Sequence, residues 1–486
     1  MATARQYMIL QHMKNSIYAS RIGSGSKQKV PASWLSVLAG RPQPGKVAGC
    51  NGLAPLTTDY AATWTRRSYT RKAEVRPHQS FVVSHETVKA KATDKKRKLY
   101  TEVRDDTDME QLTVQWENGQ VQEYPYIWLR DNCRCEECFH QSAFSRSVSF
   151  PQLDVDIRPS QFRLSYDRQK IELQWEDGHN SSYDATWLYK YRFDQSSPDL
   201  TLDPKLHYWA AELQDTIKEY DLDELTKSDE CLYDWILQMK IVGMALVKAG
   251  STSEGQVIRI GNRVSFLRCT DYGYTSHVKA KYQDAVNIAF TNKIFPMHVD
   301  LVFLGRPPGA NIIHCIEQAK GEGGENWFVD GFNMAEELRR EDPEAFDILT
   351  NTELEFFDIG NDFYGKFHQR SRHPTISLDS RGRPDHINVS DHGRDPMLRI
   401  PARKIQPFYK ALKAFSNKLY DPKNIFSYKL KEGDIMTFDN RRVIHGRRAF
   451  ETTTSSSRHL ETGYLEWDEL DSRLRVLHKQ LGYHNL

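Results

Sequence analysis

The sequence predicts a mostly β protein with helices, in which a small β-rich N-terminal domain precedes a jelly-roll-like double sheet. Two observations predict this class. Two hairpin patterns lie close together between residues 110 and 192, and many short apolar segments with long insertions follow from about residue 286. A hydrophobic content of 39% over 486 residues is that of a globular chain with two or three folded units. No apolar run approaches the ~18 residues of a membrane helix, so we expect no membrane segment.

Residues 1–95 are predicted to be a basic presequence and linker without stable structure. Residues 1–73 carry eleven Lys and Arg side chains against one acid, Asp59. Removing them changes the formal net charge from +1 for the chain to −9 for residues 74–486. A Ser-rich, Arg-containing and acid-poor N-terminus is typical of mitochondrial transit segments, so we expect a mitochondrial protein, with the cytoplasm as the alternative. A disordered basic tail that touches nucleic acid is the other interpretation of this composition.

Residues 96–195 are predicted to form the N-terminal domain from two related hairpins. The run Trp-Glu-Asn-Gly at 116–119 matches Trp-Glu-Asp-Gly at 175–178, and Tyr124 matches Tyr183 at the same spacing of 59 residues. An Asn-Gly or Asp-Gly pair between alternating apolar stretches is a strong hairpin signal. We therefore expect two hairpin units that share one small core.

Three cysteines within six residues indicate a metal site in this domain. Cys133, Cys135 and Cys138 offer three soft ligands, and zinc takes four in a closed, structural site. His179 lies in the turn of the second hairpin, where the first hairpin has Gln120. A ligand there would tie the two units together, so the sequence predicts zinc on the three cysteines and His179.

The cysteine cluster leaves other interpretations open. His140 is also nearby, but it lies only two positions after Cys138, which is tight for ligands of one ion. The cysteines could be reduced thiols in an exposed turn. A nucleic-acid-binding finger is disfavoured because Glu136 and Glu137 between the ligands would repel phosphate.

Residues 200–486 are predicted to form a second, larger domain. Helical periodicity over 205–240, ending near Gly243, precedes a buried strand at 244–247. Further strands are predicted at 286–291, 299–304, 311–316, 356–359, 385–389, 425–430 and 434–438, and helices near 334–349, 404–419 and 468–480. Many short strands with long insertions favour a jelly-roll-like double sheet decorated by helices.

Two histidines and one carboxylate in this domain indicate a non-haem iron site. Such sites hold Fe(II) on one face and leave positions open for co-substrate and O2. His298 and Asp300 lie in an apolar segment, and on a strand a spacing of two points both side chains to the same face. His445 supplies the second imidazole. Arg458 follows thirteen residues later, and its planar cation can grip a carboxylate bidentately.

A second His-x-acid pair, His459-Leu-Glu461, is a rival for the metal. Only His478 and His484 follow it in the chain. Taken singly, His445 could equally be an ordinary core histidine. Arg458 could equally be a surface residue in a salt bridge. The order His-x-Asp, long insertion, His and Arg favours the first pair and predicts an iron-dependent oxygenase.

The chain resembles the family of gamma-butyrobetaine dioxygenase and trimethyllysine dioxygenase, the two oxygenases of carnitine biosynthesis. The resemblance runs from about residue 128 to residue 475. It rests on the motifs Trp128-Leu-Arg-Asp-Asn-Cys133, Val329-Asp-Gly-Phe332, Phe438-Asp-Asn440, His445-Gly-Arg447 and Arg458-His-Leu-Glu461. It implies a double-stranded β-helix (jelly-roll) oxygenase domain, with Fe(II) on His298, Asp300 and His445 and the distal carboxylate of 2-oxoglutarate on Arg458. It also implies zinc on the cysteine cluster and His179, and the intact cluster is closer to the butyrobetaine enzyme.

The function implied by this resemblance is hydroxylation of gamma-butyrobetaine by an Fe(II)- and 2-oxoglutarate-dependent dioxygenase, with O2 as co-substrate and ascorbate as reductant. Trimethyllysine or another small amino or betaine acid is the alternative substrate. A catalytically silent, zinc-containing interaction module is the alternative class. A zinc-dependent nucleic-acid binder is disfavoured by the −9 charge of residues 74–486. We expect no nucleic-acid or membrane partner. Homodimers are common in the family, but the sequence indicates no interface.

An aromatic cage holds the trimethylammonium group in the butyrobetaine enzyme, as a cation–π site requires. The candidate substrate residues here are Tyr272, Phe290 and Tyr464. Phe290 stands where the family has a tyrosine, Leu301 replaces another, and Ser276 lies near an expected tryptophan. The cage is therefore thinned, which leaves the exact substrate open.

The expected contact to the substrate carboxylate also differs. An asparagine of the family falls near Ser390, beside Asp391. A carboxylate at this place hints at a cationic group where the family binds an anionic one.

Overall fold

The computed structural model describes residues 99–193, 201–279, 288–451 and 458–483. The presequence and linker predicted at 1–95 lie outside these residues. In the described part of the chain, no helix is both long enough and apolar enough to cross a bilayer.

Two similar units of three strands and one short helix make up the N-terminal part. Their strands and helices are β1 (Tyr100–Asp106), β2 (Gln111–Trp116), β3 (Val121–Pro125), α1 (Tyr126–Asp131), β6 (Pro159–Leu164), β7 (Lys170–Trp175), β8 (Asn180–Asp184) and α2 (Ala185–Lys190). The short hairpin of β4 (Phe139–His140) and β5 (Ser145–Arg146) and one 3-10 turn (Phe150–Gln152) lie between them. Each unit is an antiparallel sheet, in the orders β1-β2-β3 and β6-β7-β8.

The repeated residues build one core shared by the two units. Trp116 and Trp175 are both 1% exposed. The Tyr124 hydroxyl donates to the backbone oxygen of Leu188, and the matching Tyr183 hydroxyl donates to that of Leu129. The units therefore exchange equivalent hydrogen bonds across their interface. The turns at 119 and 178 need glycine, because φ is +80° and +83° there.

The second part of the chain contains fourteen described strands and seven described α-helices. Its strands are β9 (Glu219–Asp221), β10 (Met244–Lys248), β11 (Thr275–Lys279), β12 (Phe295–His298), β13 (Ala310–Glu317), β14 (Asn326–Asp330), β15 (Glu353–Asp362), β16 (Gly365–Pro374), β17 (Ile376–Leu378), β18 (Pro384–Ile387), β19 (Phe426–Tyr428), β20 (Asp434–Asp439), β21 (Val443–Arg447) and β22 (His459–Leu465). Its helices are α3 (Leu222–Lys227), α4 (Asp229–Ile241), α5 (Gln256–Val264), α6 (Gly331–Glu341), α7 (Pro343–Asn351), α8 (Ala402–Leu419) and α9 (Trp467–Gln480).

Two sheets form the centre of this part. One has six strands in the order β11-β22-β13-β20-β10-β9, and the other has four in the order β12-β21-β14-β19. Side chains of both meet in one core, for example Phe438 of the larger sheet and Phe328 of the smaller, whose rings lie 5.4 Å apart. This is the predicted jelly-roll double sheet, so the fold class is confirmed.

Helices cover the outer faces of both sheets. On the larger sheet, α3, α4, α5 and α9 pack against outward side chains such as Ile435 of β20. On the smaller sheet, α6, α7 and α8 pack against residues such as Ile444 of β21. Along β20 the side chains alternate between the helices and the inter-sheet core, with Met436 facing inward. A strand buried on both faces carries a continuous apolar run, which explains the strength of its sequence signal.

Three predicted elements are wrong. The helix predicted over 205–240 begins only at residue 222 and is two helices, because Asp221 and Ser228 each cap a helix start with a side-chain oxygen. The preceding residues contain a 3-10 turn and β9. The strand at 286–291 is a 3-10 turn at 288–290, and its first two residues lie outside the described chain.

The strand predicted at 299–304 is also wrong, because β12 ends at His298 and a turn follows. One hydrogen bond and one backbone conformation end the strand. The Asn440 side-chain oxygen accepts the Asp300 backbone N–H at 2.9 Å, and Leu301 adopts a left-handed φ of +55°. The backbone groups that would continue the sheet are used by the turn instead.

Candidate active site

The structure brings His298, Asp300 and His445 together at the open edge between the sheets. His298 ends β12 and pairs directly with His445 on β21. One Asp300 carboxylate oxygen lies 3.1 Å from His298 Nε2 and 3.6 Å from His445 Nε2. All three ligand atoms lie within 4.8 Å of one another. Asp300 reaches this position from the turn after β12, and not from a continuing strand as the sequence predicted.

Hydrogen bonds fix which atoms of this group remain available. His298 Nδ1 lies 2.8 Å from the backbone oxygen of Pro296, so a proton there leaves the Nε2 lone pair free. The second Asp300 oxygen accepts from Asn311 at 2.6 Å and from the Tyr464 hydroxyl at 2.9 Å. His298 and Asp300 therefore each present their remaining atom to the shared point.

Asp300 and His445 are kept in the protonation states that a metal cation requires. Burial would raise the pKa of Asp300, but the imidazoles of His445 and His298 hold it below its usual range. Burial lowers the pKa of His445 to about 3, and His298 beside it acts in the same direction. A carboxylate and a neutral imidazole are the forms that bind a metal ion.

Arg458 lies in the pocket that contains these three residues. It is 3% exposed, and burial lowers its pKa to about 10. Within the described residues its side chain donates to Asn326 Oδ1 at 3.2 Å, and no carboxylate pairs with it. Arg447, the other buried cation there, donates to three backbone carbonyls. A buried cation without a carboxylate favours an anionic ligand.

The rival pair lies on the opposite face of the same strand. Side chains alternate along β22, so that Arg458, Leu460, Thr462 and Tyr464 line the pocket. His459 and Glu461 therefore face away, His459 against His277 at 2.9 Å and Glu461 against His314 at 3.5 Å. The structure separates the two candidate pairs, and only the His298 pair reaches the pocket.

A second ligand group forms in the N-terminal part. His179 Nε2 lies 3.3 Å from the Sγ of Cys133 and 3.5 Å from the Sγ atoms of Cys135 and Cys138. His140 is turned away, and its Nδ1 contacts Ser142 and Ala143. Three thiols and one imidazole around one point suit a closed tetrahedral zinc site.

Two family models match the chain. The model described as taurine catabolism dioxygenase TauD, TfdA family matches residues 200–464, more than half of the sequence. The chain belongs to this dioxygenase family. A second model, gamma-butyrobetaine hydroxylase-like, N-terminal, matches residues 103–189.

Curated relatives of this dioxygenase span most of its length. Gamma-butyrobetaine dioxygenase of Homo sapiens is 38% identical over 374 residues, which cover 76% of this chain and 95% of the relative. The protein of that name from Pseudomonas sp. (strain AK-1) is 32% identical and covers 76% and 94%. Mitochondrial trimethyllysine dioxygenase of Rattus norvegicus is 27% identical and covers 74% and 83%. The resemblance to this family, closer to the butyrobetaine enzyme, is confirmed.

These matches confirm the prediction of an enzyme. The dioxygenase is of the Fe(II)- and 2-oxoglutarate-dependent type, and iron and 2-oxoglutarate are the cofactors that its family implies. A catalytically silent module finds no support in them.

The dioxygenase pocket also contains the three candidate substrate residues, Tyr272, Phe290 and Tyr464. The Tyr272 hydroxyl donates to Asp358 at 2.5 Å, and the Tyr464 hydroxyl donates to Asp300 at 2.9 Å. Leu301 and Ser276, which replace expected aromatic residues, line the pocket too. The thinning of the aromatic wall is therefore a property of the folded site.

Asp391 does not line the pocket, so it is not the substrate contact that the sequence suggested. It is exposed, lies 3.5 Å from Arg394 in an ion pair, and is absent from the described pocket lining. Its neighbours Ser390 and His392 line the pocket instead. Burial, with His298 next, lowers the pKa of His392 to about 4, so this imidazole is neutral near pH 7. The hint of a binding site for a cation at Asp391 is wrong.

Sequence reasoning missed three residues that shape the site. Asn311 and Asn440 hold the side chain and the backbone of Asp300, and His392 packs against His298 with ring centroids 5.2 Å apart. Asn311 had a usable signal, because a polar residue inside the apolar run of β13 needs a buried partner. His392 had none.

Proposed function

We propose that this dioxygenase hydroxylates gamma-butyrobetaine or a closely related small quaternary amine, the reaction expected in carnitine biosynthesis. Fe(II) would be held by His298, Asp300 and His445, and 2-oxoglutarate by Arg458. One observation carries the proposal: two imidazoles and a carboxylate share a pocket with a buried arginine that has no carboxylate partner among the described residues. The relatives named gamma-butyrobetaine dioxygenase support the substrate.

The three metal-binding residues suit a non-haem iron centre. Two histidines and one carboxylate on one side leave the other positions for ligands. Bound Fe(II) supplies the redox chemistry by which O2 oxidises 2-oxoglutarate to succinate and CO2 and hydroxylates a C–H bond. Tyr464 and Asn311 orient the Asp300 carboxylate by donating to the oxygen that does not face the imidazoles.

Arg458 orients the co-substrate. Its guanidinium can donate two parallel hydrogen bonds to the distal carboxylate of 2-oxoglutarate, which fixes direction as well as affinity. That contact also offsets the cost of a buried cation. We further propose ascorbate as the reductant that keeps iron in the ferrous state.

The pocket wall suits a cationic head group. Tyr272, Phe290 and Tyr464 offer π faces, and Asp358 behind Tyr272 adds a carboxylate within 2.5 Å of its hydroxyl. Ser390 and His392 can donate hydrogen bonds to a carboxylate at another part of the substrate. A molecule with a quaternary amine and a carboxylate fits this pair of features.

A second candidate is a different small amino or betaine acid, including trimethyllysine. Leu301 and Ser276 favour it, because they offer no π face where the family has aromatic side chains. A substrate with a bulkier apolar part or a smaller cationic group would suit this wall.

Four further assignments belong to the same proposal. The cysteine cluster and His179 hold a structural zinc ion, residues 96–195 form the zinc-binding domain and residues 200–486 the oxygenase domain. The enzyme is mitochondrial, as the composition of residues 1–73 suggests, and the cytoplasm is the alternative. A homodimer, the common assembly of the family, is the oligomeric state to test.

The test is turnover of 2-oxoglutarate by the purified full-length chain. Succinate is measured with Fe(II) and ascorbate, with gamma-butyrobetaine, trimethyllysine or other small betaines, and without any substrate. We expect gamma-butyrobetaine to stimulate succinate formation most and Asp300→Ala to abolish it. If only another amine stimulates succinate formation, that amine replaces gamma-butyrobetaine as the proposed substrate. Substrate-independent succinate would retain the iron and 2-oxoglutarate assignments and remove the carnitine assignment.

A further inference from the structure

A third group of metal-ligating side chains lies outside the pocket and outside the cysteine cluster. Glu254, His277 and His459 place one ligand atom each within 4.8 Å of one another. His277 Nδ1 lies 2.9 Å from His459 Nε2, and Glu254 Oε1 lies 3.9 Å from both nitrogens. This is the same donor set, two imidazoles and a carboxylate, as in the pocket.

The backbone brings the two histidines together. In the antiparallel pair of β11 and β22, His277 lies opposite Glu461, and His459 lies opposite Lys279. The histidines are therefore diagonal neighbours on one face, within reach of long side chains. Their ring centroids lie 5.1 Å apart.

Glu254 is brought to the pair by a separate contact. The next backbone N–H, that of Gly255, donates to both carboxylate oxygens of Glu461, at 2.9 and 3.0 Å. Glu461 is 1% exposed and lies on the same face of β22 as His459. The loop before α5 is thus attached to the strand that carries one of the histidines.

Exposure and charge permit a cation to enter. His459 is nearly buried, the His277 side chain is 35% exposed and that of Glu254 is 60% exposed. The Glu254 carboxylate places a negative charge 3.9 Å from His459 Nε2. The group is anchored on its inner side and open to solvent on its outer side.

We propose that Glu254, His277 and His459 bind a divalent cation of the zinc class, separate from the pocket iron. Imidazole nitrogen with one carboxylate favours zinc or a late first-row metal over magnesium or calcium, which prefer oxygen ligands. The ion would join β11 to β22 on the face opposite the pocket. Without the ion, one imidazole donates an N–H···N hydrogen bond to the other across the observed 2.9 Å.

This position gives the ion a structural consequence. Ser276 and Val278 of β11 and Thr462 and Tyr464 of β22 line the pocket from the other face of the same strand pair. A metal ligated by both strands fixes their separation, and so stiffens this pocket wall.

The test is the zinc content of the full-length chain, measured by mass spectrometry after dialysis against buffered free Zn²⁺. The variants are His277→Gln and Glu254→Gln. His386→Gln is the matched control, because its imidazole also lies beside a carboxylate, Asp385 at 2.8 Å, but belongs to no three-ligand group within the described part of the chain. Zinc bound at the cysteine cluster or in the pocket contributes equally to wild type and variants, so a difference in zinc content reports the Glu254, His277 and His459 group alone.

We expect wild type and His386→Gln to hold one more zinc per chain than His277→Gln. Glu254→Gln, on an exposed side chain, should hold that zinc more weakly, which keeps the test valid if His277→Gln misfolds. Anomalous diffraction at the zinc edge should give a peak between His277 and His459. Equal zinc in wild type and both variants, with no such peak, would show that the histidines form only a hydrogen bond.

Discussion

Asp300 of the proposed iron site is held by four hydrogen bonds with three side chains. Asn440 accepts its backbone N–H and donates to its backbone oxygen at 3.0 Å. Asn311 and Tyr464 donate to the carboxylate oxygen that faces away from the imidazoles. Partners of this kind orient metal ligands and raise affinity. The precision of the site therefore depends on residues that do not bind metal themselves.

Tyr464→Phe tests this dependence, because it removes one donor to Asp300 and retains the aromatic ring. We expect Fe(II) affinity to fall about 10- to 100-fold, measured by anaerobic iron titration. Tyr272→Phe is the matched control, since its hydroxyl donates to Asp358 and not to the metal site. Equal iron affinities in the two variants would contradict the orienting role of Tyr464.

Arg458→Lys tests the recognition of 2-oxoglutarate. Lysine keeps the charge but loses the planar pair of donors. A charge-assisted hydrogen bond contributes about 1.5–3 kcal/mol, so we expect the KM for 2-oxoglutarate to rise roughly 10- to 100-fold. Arg448→Lys, an exposed residue paired with Glu325 at 3.6 Å, should leave this KM unchanged. An unaltered KM in Arg458→Lys would show that the 2-oxoglutarate carboxylate binds to another residue.

At the residue scale, the sequence predicts the candidate iron ligands and Arg458 and misses the residues that orient them. His298, Asp300, His445 and Arg458 share a recognisable order along the chain. His392 enters the pocket through a turn that no periodicity marks, and only the folded chain reveals its contact with His298.

Among the elements, the paired hairpins of the N-terminal part depend on one shared site and one shared core. Sequence spacing predicts both, because the repeat of 59 residues places His179 in the turn that faces the cysteines. The end of β12 could not be predicted in this way. It is set by Asn440, which is 140 residues away in the chain.

His179→Gln tests the zinc site. We expect loss of one zinc per chain and local unfolding of residues 100–190, since structural zinc contributes about 10–16 kcal/mol in small zinc domains. Mass spectrometry reports the metal, and the fluorescence of Trp116 and Trp175 reports the core. His140→Gln is the control, because this exposed histidine lies near the cluster without joining it. Unchanged zinc content in His179→Gln would exclude it as a ligand.

The β15–β16 hairpin carries a charge cluster with a defined pH dependence. Glu355 is hydrogen-bonded to Arg399, Arg370 and Arg372, and these contacts lower its pKa from 4.5 to about 2. A lowered folded-state pKa stabilises the fold above the unfolded value, and this contribution is lost as pH falls towards 2.

Glu355→Gln should therefore lower the melting temperature at pH 7, and the difference from wild type should shrink between pH 4.5 and 2. Thermal unfolding monitored by circular dichroism measures it. Glu353→Gln, whose carboxylate is 56% exposed, should show little difference at any pH. A constant difference for Glu355→Gln would show that charge is not the cause.

Considered as a whole, the molecule uses its two central sheets to bring distant segments to one pocket. β12 with the turn after it and β21 supply the proposed iron ligands, and Arg458 lies directly before β22, while helices cover both outer faces. The double sheet was predictable because strands such as β20 are buried on both faces. Which strands become neighbours was not, because that depends on contacts between residues far apart in sequence.

Isotope labelling tests the central claim most directly. The full-length chain is incubated with Fe(II), 2-oxoglutarate, gamma-butyrobetaine and ¹⁸O₂, and the products are analysed by mass spectrometry. We predict one ¹⁸O in hydroxylated gamma-butyrobetaine and one in succinate, and neither product with Asp300→Ala. Labelled succinate without any hydroxylated gamma-butyrobetaine would contradict the proposed substrate, and unlabelled succinate would contradict the proposed oxygenase chemistry.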